Sequence, residues 1–205
     1  MKIIAVGMNY APHVQEMGHA EVPAEPVIFL KPDTALLRTG WPFFVPDFSQ
    51  EVHYEAEVVV RICRLGRSIA ERFAHRYYDA VSVGIDFTAR DLQRELRAKG
   101  LPWELSKAFD GSAAVGQFVP LEELGGDVQR LDFSLNIDGR EVQCGHTADM
   151  THTVDQIISY ASQYFTLRTG DLIYTGTPVG VGSVCPGQHL EGFLQGRKVL
   201  DFHIK

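Results

Sequence analysis

The chain has 205 residues, of which 45% are apolar and 22% charged, and this composition excludes an intrinsically disordered protein. Its length suits one full domain and is short for two, so we expect a single domain over residues 1–205. The formal net charge of −7 argues against a general nucleic-acid binder and against a protein that binds membrane surfaces.

The three cysteines, Cys63, Cys144 and Cys185, lie far apart and form no C-x-x-C pair. This spacing indicates neither a disulfide framework nor a zinc knuckle, and it fits a reducing compartment. The opening residues, MKIIAVGMNY, contain too short an apolar run for a secretory signal, and no apolar stretch is long enough to span a bilayer. We therefore expect a cytoplasmic protein with no membrane partner.

Short β-rich runs separated by glycine, proline and aspartate dominate the chain and predict eight strands. The dipeptide Asp138-Gly139 predicts a tight hairpin between two of them, because glycine tolerates the positive φ that such turns need. The predicted strands span residues 2–6, 27–31, 54–62, 80–85, 131–137, 141–145, 171–174 and 198–204.

Two segments have the pattern of full-length helices, and the first covers residues 89–99. Thr88 is its expected N-cap, and Asp91 stands at the position that would complete a capping box with Thr88. Gly100 is expected to end this helix, because glycine adopts the left-handed conformation common at helix C-termini.

The second full-length helix is predicted over residues 154–165. Thr153 is the expected N-cap and Gln156 its partner in a capping box, a pair that satisfies two backbone amides of the first turn. The expected inward-facing residues of this helix are Ile157, Ile158, Ala161 and Phe165.

A third, shorter helix is predicted over residues 12–17, with Asn9 near its N-cap and Gly18 at its end. A helix of under two turns is marginal alone in water, and a polar stretch rich in glycine, glutamate and proline follows it. A short helix held by few contacts is a candidate lid over a binding site.

The order of the predicted elements defines the fold class. The chain contains no internal repeat and no long flexible linker, so no domain boundary is expected. Many strands with few helices and no regular alternation of strand and helix predict a mostly β fold of the α+β class with a mixed sheet.

The segment HYEAE (residues 53–57) opens a run of valines within a predicted strand. Alternate residues of a strand share a face, so Glu55 and Glu57 are expected to point the same way. Two buried like charges require a compensating cation or protons, and paired carboxylates suit a hard ion such as Mg²⁺ or Mn²⁺. Taken alone, the pair fits a solvated polar face on an edge strand better than it fits a metal site.

Asp86 ends a predicted apolar strand and directly precedes a predicted helix. Junctions of this kind place side chains at the edge of a rigid scaffold, where they can enter a cleft. On its own, Asp86 fits an ordinary turn aspartate better than a site residue, whereas Asp91 is explained by its expected capping position.

His13 and Glu16 are spaced i, i+3 and would share one face of the short helix. A carboxylate that orients an imidazole makes a general base, although a surface histidine near a surface glutamate has the same spacing. Lys107 stands between apolar neighbours on a segment predicted to be extended. It could bind a substrate carboxylate or a developing oxyanion, or extend to solvent.

The Gly-rich segment TGTPVGVG (residues 175–182) follows a predicted strand. It lacks the G-K-[S/T] ending of a Walker A loop and does not open a helix, so it does not predict a nucleotide site. Glycines at these positions would let backbone amides and a threonine hydroxyl approach a carboxylate.

Six motifs occur in order along nearly the whole chain. Together they resemble the fumarylacetoacetate hydrolase family, and most closely its short acylpyruvase and oxaloacetate decarboxylase branch. The motifs are G-x-N-Y-x-x-H-x-x-E (7–16), F-x-K-P (29–32), E-x-E (55–57), D-x-T-A-R-D-x-Q (86–93), G-L-P-W-x-x-x-K-x-F (100–109) and T-G-T-P-x-G-V-G (175–182).

The resemblance implies a mixed β-sandwich roll of the fumarylacetoacetase C-terminal type, a homodimer, Mg²⁺ or Mn²⁺ as cofactor and a small 2-oxo acid as substrate. The acidic metal triad of the family matches Glu55, Glu57 and Asp86. The pair that activates water in the family matches His13 and Glu16, on a segment that closes over substrate.

Four further residues match family positions around the bound 2-oxo acid. We expect Lys107 to be catalytic, and Arg90, Gln93 and Thr177 to bind substrate. The chain lacks the additional N-terminal domain of the larger fumarylacetoacetases, so fumarylacetoacetate itself is not the expected substrate.

The expected function is metal-dependent C–C bond cleavage of a small 2-oxo acid, by acylpyruvate hydrolysis or oxaloacetate decarboxylation, through a metal-stabilised pyruvate enolate. Two alternatives stay open on the sequence. One is an isomerase, decarboxylase or hydratase acting on 2-oxo-alkenedioates from aromatic breakdown. The other is a catalytically idle metal- or ligand-binding protein on the same fold.

Overall fold

The computed structural model describes residues 1–16 and 23–205. Most of the regular structure in this part of the chain is β-strand, which confirms the predicted fold class. The strands are β1 (Ile3–Gly7), β2 (Val27–Lys31), β3 (Val52–Tyr54), β4 (Ala56–Ile62), β5 (Tyr78–Asp86), β6 (Thr88–Ala89), β7 (Ala113–Val115), β8 (Val119–Pro120), β9 (Asp132–Ile137), β10 (Arg140–His146), β11 (Leu172–Tyr174), β12 (Gly182–Ser183), β13 (His189–Leu194) and β14 (Arg197–His203).

The helices are short and connect or cover the sheets. No helix in the described part of the chain is both long and apolar enough to cross a membrane. The α-helices are α1 (Ala11–Glu16), α2 (Arg90–Ala98), α3 (Glu104–Lys107) and α4 (Val154–Tyr164), and 3₁₀ turns span Asp33–Ala35, Glu71–Arg76, Leu121–Leu124 and Thr147–Asp149.

Three sheets make up the fold. The largest has seven strands in the order β2-β1-β11-β4-β5-β7, with β8 also paired to β5. Its β1–β11 pair is parallel and its other pairs are antiparallel, so the sheet is mixed. A four-stranded sheet has the order β10-β9-β13-β14, and a three-stranded sheet the order β12-β3-β6.

The hydrophobic core divides along the two faces of the largest sheet. Val58 and Val60 of β4 point into the main cluster, which α4 covers with Ile157 and Ile158. Val59 points to the opposite face and packs in a smaller cluster. This alternation is the period of two expected for a strand that is buried on both faces.

The predicted strand over 54–62 is two strands in the structure, and the break falls at Glu55. β3 pairs with β12 and β6 in the three-stranded sheet, whereas β4 pairs with β11 and β5 in the largest sheet. The chain therefore passes from one sheet to the other at Glu55. Five strands were missed by sequence, namely β6, β7, β8, β12 and β13.

The Asp138-Gly139 hairpin is confirmed, with φ of 52° and 77° at the two turn residues. The capping box of α4 is also confirmed, since Thr153 accepts a hydrogen bond from the amide of Gln156 and the Gln156 side chain accepts one from the amide of Thr153. Gly100 follows α2 with φ of 64°, as expected of a residue that ends a helix.

The predicted capping box of α2 is wrong. The N-cap is Ala89, without a side-chain bond, because Thr88 is drawn into the short strand β6. The Asp91 carboxylate instead accepts hydrogen bonds from the Ser49 hydroxyl (2.7 Å) and the Gln50 amide (2.8 Å). Asp91 thereby ties α2 to the segment before β3.

One further local prediction needs correction, since Lys107 lies at the end of the short helix α3 and not on an extended segment. Asn9 lies close to the start of α1, as predicted, and its side chain bonds the backbone of His152 and Thr175. The predicted C-terminal end of the short helix at Gly18 lies outside the described residues, as does most of the polar stretch of the predicted lid.

The capping box gives a test of the fold. We expect Thr153→Ala to destabilise the protein by about 1 kcal/mol, because it leaves first-turn amides of α4 without their acceptor. Thermal unfolding should show this as a loss of roughly 2–4 °C in Tm. Thr151→Ala is the matched control, since Thr151 is exposed and its hydroxyl has no hydrogen-bond partner among the described residues. Equal Tm losses in the two variants would contradict the assignment.

Candidate metal centre and active site

Three carboxylates converge where β3, β4 and β5 meet. Glu55 lies at the break between β3 and β4, Glu57 follows two residues later in β4, and Asp86 ends β5. The amide of Asp86 donates a hydrogen bond to the carbonyl of Glu55 (2.9 Å), which sets these two residues opposite each other. One carboxylate oxygen from each residue lies within 4.8 Å of the other two, and all three side chains are buried.

Three cationic side chains surround the triad. Lys107 Nζ donates to Glu55 Oε2 and Asp86 Oδ2, both at 2.7 Å. Lys31 Nζ lies 2.7 Å from Asp86 Oδ1, and Arg90 Nη2 donates to Glu55 Oε1 at 2.5 Å. Because each buried carboxylate would otherwise be costly, these cations are needed to hold the group together.

The environment shifts the pKa values of the two glutamates in opposite directions. Burial alone would raise the pKa of Glu55, but ion pairs with Lys107 and Arg90 outweigh burial and hold that pKa well below its usual range. Burial, followed by repulsion from Asp86 and Glu55, raises the pKa of Glu57 well above its usual range. Glu57 thus carries the unbalanced charge of the triad.

The two lysines also differ. Burial lowers the pKa of Lys31 below its ordinary value, although the neighbouring Asp86 opposes the shift. Burial acts in the same direction on Lys107, but attraction to Asp86 and Glu55 outweighs it, and the pKa of Lys107 is raised. Lys107 is therefore a firmly charged ammonium within the site.

These residues fit a divalent cation. Asp86 Oδ1 is buried and accepts no hydrogen bond within the described chain, despite the nearby Lys31 ammonium. Glu57 accepts one hydrogen bond, from the amide of Gly176 to Oε2 (2.7 Å), and contacts no cationic side chain of the described chain. Carboxylate oxygens with spare acceptor capacity are the ligands that Mg²⁺ and Mn²⁺ prefer.

A second carboxylate and histidine group lies on β13 and β14, in the four-stranded sheet. His189, Glu191 and Asp201 also present ligand atoms within 4.8 Å of one another. This group is partly exposed, and Lys198 Nζ already neutralises it through Glu191 (3.0 Å) and Asp201 (2.6 Å). The buried triad is therefore the better metal candidate.

His13 and Glu16 form a hydrogen-bonded pair on α1. His13 Nδ1 lies 2.9 Å from Glu16 Oε2, and Gly180 N donates to Glu16 Oε1 at 3.1 Å. His13 is buried, whereas Glu16 is exposed. A carboxylate bonded to Nδ1 leaves Nε2 of the imidazole to accept a proton, which is the arrangement of an oriented general base.

Arg90 is held from three sides. Besides Glu55, it donates to Gln93 Oε1 (2.6 Å) and, through Nε, to His53 Nδ1 (3.3 Å). His53 Nε2 in turn lies 2.9 Å from Glu51 Oε1. The guanidinium is thereby fixed against the triad. Sequence analysis missed His53, and its position at the start of the HYEAE segment was the available signal.

The Gly-rich segment after β11 closes one side of the site. The Thr177 hydroxyl donates to the carbonyl of Ala56 (2.8 Å) and accepts from Gln143 Nε2 (2.9 Å). Gly176 has φ of 100°, and a Cβ there would lie 2.7 Å from Asn9 Cβ. Only glycine fits this position, from which the backbone amide reaches Glu57.

The structure brings the nine predicted site residues into one place. Glu16 and Asp86 contact the site through His13 and Lys107. A single cavity, which Phe29 and Trp103 also line, is bordered by the other seven, namely His13, Glu55, Glu57, Arg90, Gln93, Lys107 and Thr177. A wider apolar groove elsewhere, bordered by Leu30, Phe48 and Leu105, contains none of the nine. We assign the active site to the cavity lined by the predicted residues because of the chemistry of those residues, and not because of the size of the cavity.

Sequence analysis gave no role to two buried residues that support the site. Gln143 of β10 accepts a hydrogen bond from the amide of Ala56 and holds Thr177. Lys31 of β2 donates to the carbonyl of Lys107 and to the Ser112 hydroxyl (3.0 Å), besides neutralising Asp86. Lys31 stands in the F-x-K-P motif, so a buried lysine in a strand was a usable signal.

Comparison with known proteins gives consistent results. The model of the "Fumarylacetoacetate (FAA) hydrolase C-terminal" family matches residues 2–205. Oxaloacetate tautomerase YcgM of Escherichia coli is 42% identical over 189 residues, which cover 92% of this chain and 86% of that protein. The human protein named oxaloacetate tautomerase FAHD1, mitochondrial, is 40% identical over 203 residues, which cover 99% and 91%.

A solved structure adds a bound ion to the comparison. Fumarylpyruvate hydrolase from Pseudomonas aeruginosa, in complex with Mn²⁺ and pyruvate, superposes with a TM-score of 0.93 at 35% identity. The match covers 100% of this chain and 89% of that one. The family model, the relatives and the superposed fold agree, and the chain belongs to the fumarylacetoacetate hydrolase family.

Proposed function

We propose that this chain is a metal-dependent enzyme that enolises a small 2-oxo acid, with oxaloacetate tautomerisation as its principal reaction. The observation that carries the proposal is that the buried His13, bonded to Glu16, borders the same cavity as Glu55, Glu57 and Lys107. The names of the relatives that match most of the chain support oxaloacetate as substrate. We further propose that residues 1–205 form a single catalytic domain.

Glu55, Glu57 and Asp86 would hold the cation, which we take to be Mg²⁺ or Mn²⁺. When bound, such a cation supplies Lewis-acid stabilisation for negative charge on a 2-oxo oxygen. Lys107 places a second positive charge beside the same carboxylates, where it can attract an oxyanion. Arg90, Gln93 and Thr177 border the remaining space, and we assign substrate binding to them.

His13 is the proposed base. In tautomerisation, Nε2 takes a proton from the carbon next to the 2-oxo group, the electrons of that C–H bond move to the 2-oxo oxygen, and the imidazolium gives a proton to this oxygen to form the enol. The reverse direction takes the proton from the enol oxygen and returns it to the carbon. Glu16 holds the ring through Nδ1, which leaves Nε2 available for proton transfer. Loss of CO₂ from oxaloacetate breaks a C–C bond without removing a proton from carbon, so it makes no demand on this base.

Acylpyruvate hydrolysis is the second candidate function, and the likeness to fumarylpyruvate hydrolase favours it. There His13 would take a proton from water as the water attacks the distal ketone, and a pyruvate enolate would leave. The base and the cationic side chains are the same in both reactions. From family membership alone we also propose a homodimer and a cytoplasmic location, although the human relative is named as mitochondrial.

The assignment of the base predicts a separation of activities. His13→Ala should lower oxaloacetate tautomerisation and acetylpyruvate hydrolysis about 100-fold or more, because both need a proton acceptor. Oxaloacetate decarboxylation should change little. Absorbance assays at saturating Mg²⁺ measure all three rates. A variant that still hydrolyses acetylpyruvate at the normal rate would show that another group is the base.

Because the charge of Glu57 has no cationic partner in the described chain, we expect Glu57→Gln to stabilise the metal-free protein and to weaken metal binding. The raised pKa of Glu57 means that its carboxylate destabilises the metal-free fold increasingly as pH rises above the unfolded value, about 4.3. Glu57→Gln should therefore raise the Tm of metal-free protein at pH 8 by about 2 °C or more, and the gain should shrink toward pH 5.

The same variant should lose the rise in Tm that Mg²⁺ or Mn²⁺ gives the parent protein, because a ligand oxygen has lost its charge. Glu191→Gln, in the exposed group on β13, is the matched control and should keep the metal response. If Glu57→Gln kept an undiminished metal response, the triad would not be the metal site.

Metal removal separates an enzyme from an idle binding protein. Excess chelator should abolish the tautomerase and hydrolase activities, and added Mg²⁺ or Mn²⁺ should restore them. Oxaloacetate also tautomerises and decarboxylates without protein, so the rate with buffer alone is subtracted. Rates that did not respond to chelator would contradict the proposed metal-dependent function.

A further inference from the structure

We propose that His53 is a positioning residue for Arg90, and that its neutral imidazole holds the guanidinium plane in the orientation that turnover needs. This inference rests on the proposed function and deepens it, since it adds a residue that acts on the substrate only through Arg90. The described residues that border the cavity include Arg90 but not His53. His53 Nδ1 accepts a hydrogen bond from Arg90 Nε (3.3 Å), and its Nε2 lies 2.9 Å from Glu51 Oε1.

The backbone brings His53 and Arg90 together. His53 lies in β3, where it pairs with Thr88 of β6, and α2 begins with Arg90 two residues after Thr88. The amide of Arg90 also donates a hydrogen bond to the carbonyl of Glu51 (2.7 Å). These backbone contacts hold the first turn of α2 against β3, so the two side chains meet without further rearrangement of the fold.

The two partners of His53 assign the proton on its ring. The ionised carboxylate of Glu51 has no hydrogen to donate, so Nε2 of His53 must carry the proton in this contact. The guanidinium of Arg90 has only donors, so Nδ1 of His53 must present a lone pair to it. A neutral imidazole with its proton on Nε2 meets both conditions. A protonated ring would set an N–H group against the N–H of the arginine.

The contact with His53 gives the guanidinium of Arg90 its third fixed point. Nη1 donates to Gln93 Oε1 (2.6 Å), and Nη2 donates to Glu55 Oε1 (2.5 Å). These two bonds alone would leave the planar group free to swing about the line that joins its terminal nitrogens. The bond at Nε removes that freedom, because three points that are not in line define a plane.

The plane decides where Arg90 directs its remaining donors. A guanidinium has five N–H donors, and three are used in the contacts with His53, Gln93 and Glu55. The other two are one N–H on each terminal nitrogen. Arg90 borders the cavity, so these are the donors that it can offer to a carboxylate or oxyanion of the substrate. His53 thus sets their direction without contacting the substrate.

Two substitutions separate the two ends of the imidazole. His53→Asn places an amide oxygen near the position of Nδ1, so it keeps an acceptor for Arg90 and gives up the contact with Glu51. His53→Gln places its amide near the position of Nε2, so it keeps a donor for Glu51 and leaves the Nε–H of Arg90 without an acceptor. Arg94→Gln is the matched control, because it breaks the exposed ion pair between Arg94 and Glu51 and leaves His53 in place.

Steady-state kinetics of oxaloacetate tautomerisation are measured with saturating Mg²⁺. We expect His53→Gln to lower kcat about 10-fold, because a group that is held in the wrong orientation loses rate. KM should rise less than about threefold, since Gln93 and Glu55 still hold the guanidinium in the cavity. His53→Asn should keep at least about half of the parent kcat, and Arg94→Gln should change neither constant.

Nuclear magnetic resonance gives a second measurement that needs neither metal nor turnover. In ¹⁵N-labelled protein, the Nε–H signal of Arg90 is identified by its absence in Arg90→Lys. It should exchange slowly with solvent in the parent protein, because the group is buried and hydrogen-bonded. The signal should stay protected in His53→Asn and in Arg94→Gln, and should exchange at least about 10-fold faster in His53→Gln.

An unchanged kcat in His53→Gln would overturn the inference, as would equal losses in the two His53 variants, which a role in packing alone would give. An Nε–H of Arg90 that is unprotected in the parent protein would also overturn it. The proposed function is judged separately, by turnover of oxaloacetate in the parent protein. If the parent protein does not tautomerise oxaloacetate, that function fails, and the exchange rates still decide whether His53 holds Arg90.

Discussion

The site depends on keeping three carboxylates within a few ångströms of one another in the interior of the protein. Glu55, Glu57 and Asp86 repel each other, and burial strengthens the repulsion by removing water. Lys31, Lys107 and Arg90 make the arrangement possible, since each places a positive charge against a triad oxygen. These cations come from β2, α3 and α2, so the electrostatic demand of the triad ties together elements that are distant in sequence.

Backbone features make room for this cluster. Opposite Glu57 on β5 stands Gly84, where a Cβ would lie 2.6 Å from the Ala114 carbonyl oxygen. The change of sheet at Glu55 frees that side chain from the ladder between β4 and β5 and lets it meet Asp86. Gly176 brings an amide to Glu57 that a larger residue would displace. The two glycines and the strand break thus have the same effect, because each makes room for a carboxylate of the triad or for its partner.

Sequence reasoning succeeded where the deciding interactions are local. The alternation around Ala56 put both glutamates on one face, and the threonine and glutamine of α4 form the predicted capping box. It failed where a distant partner decides. Thr88 was expected to cap α2, but pairing with His53 of β3 draws it into a strand. Lys31 gave no sign of its partner, because Asp86 lies on another strand and only the sheet order brings them together. The convergence of the triad itself was reached through family resemblance, since no spacing in the chain reveals that β4 and β5 are neighbours.

Two of the cations that stabilise the triad, Lys107 and Arg90, also line the cavity, and this double role constrains the chemistry. Lys107 and Arg90 are hydrogen-bonded to carboxylates, so their positions are fixed before any substrate arrives. A preorganised charge needs little rearrangement when negative charge develops nearby, which is the condition for effective electrostatic catalysis. Glu57 is the exception, because it has a backbone partner but no cation, and its pKa is raised as a result. The imbalance at this one carboxylate is the physical reason for expecting a divalent ion at the triad: the lysines and the arginine balance the charge of Glu55 and Asp86 but leave that of Glu57 uncompensated.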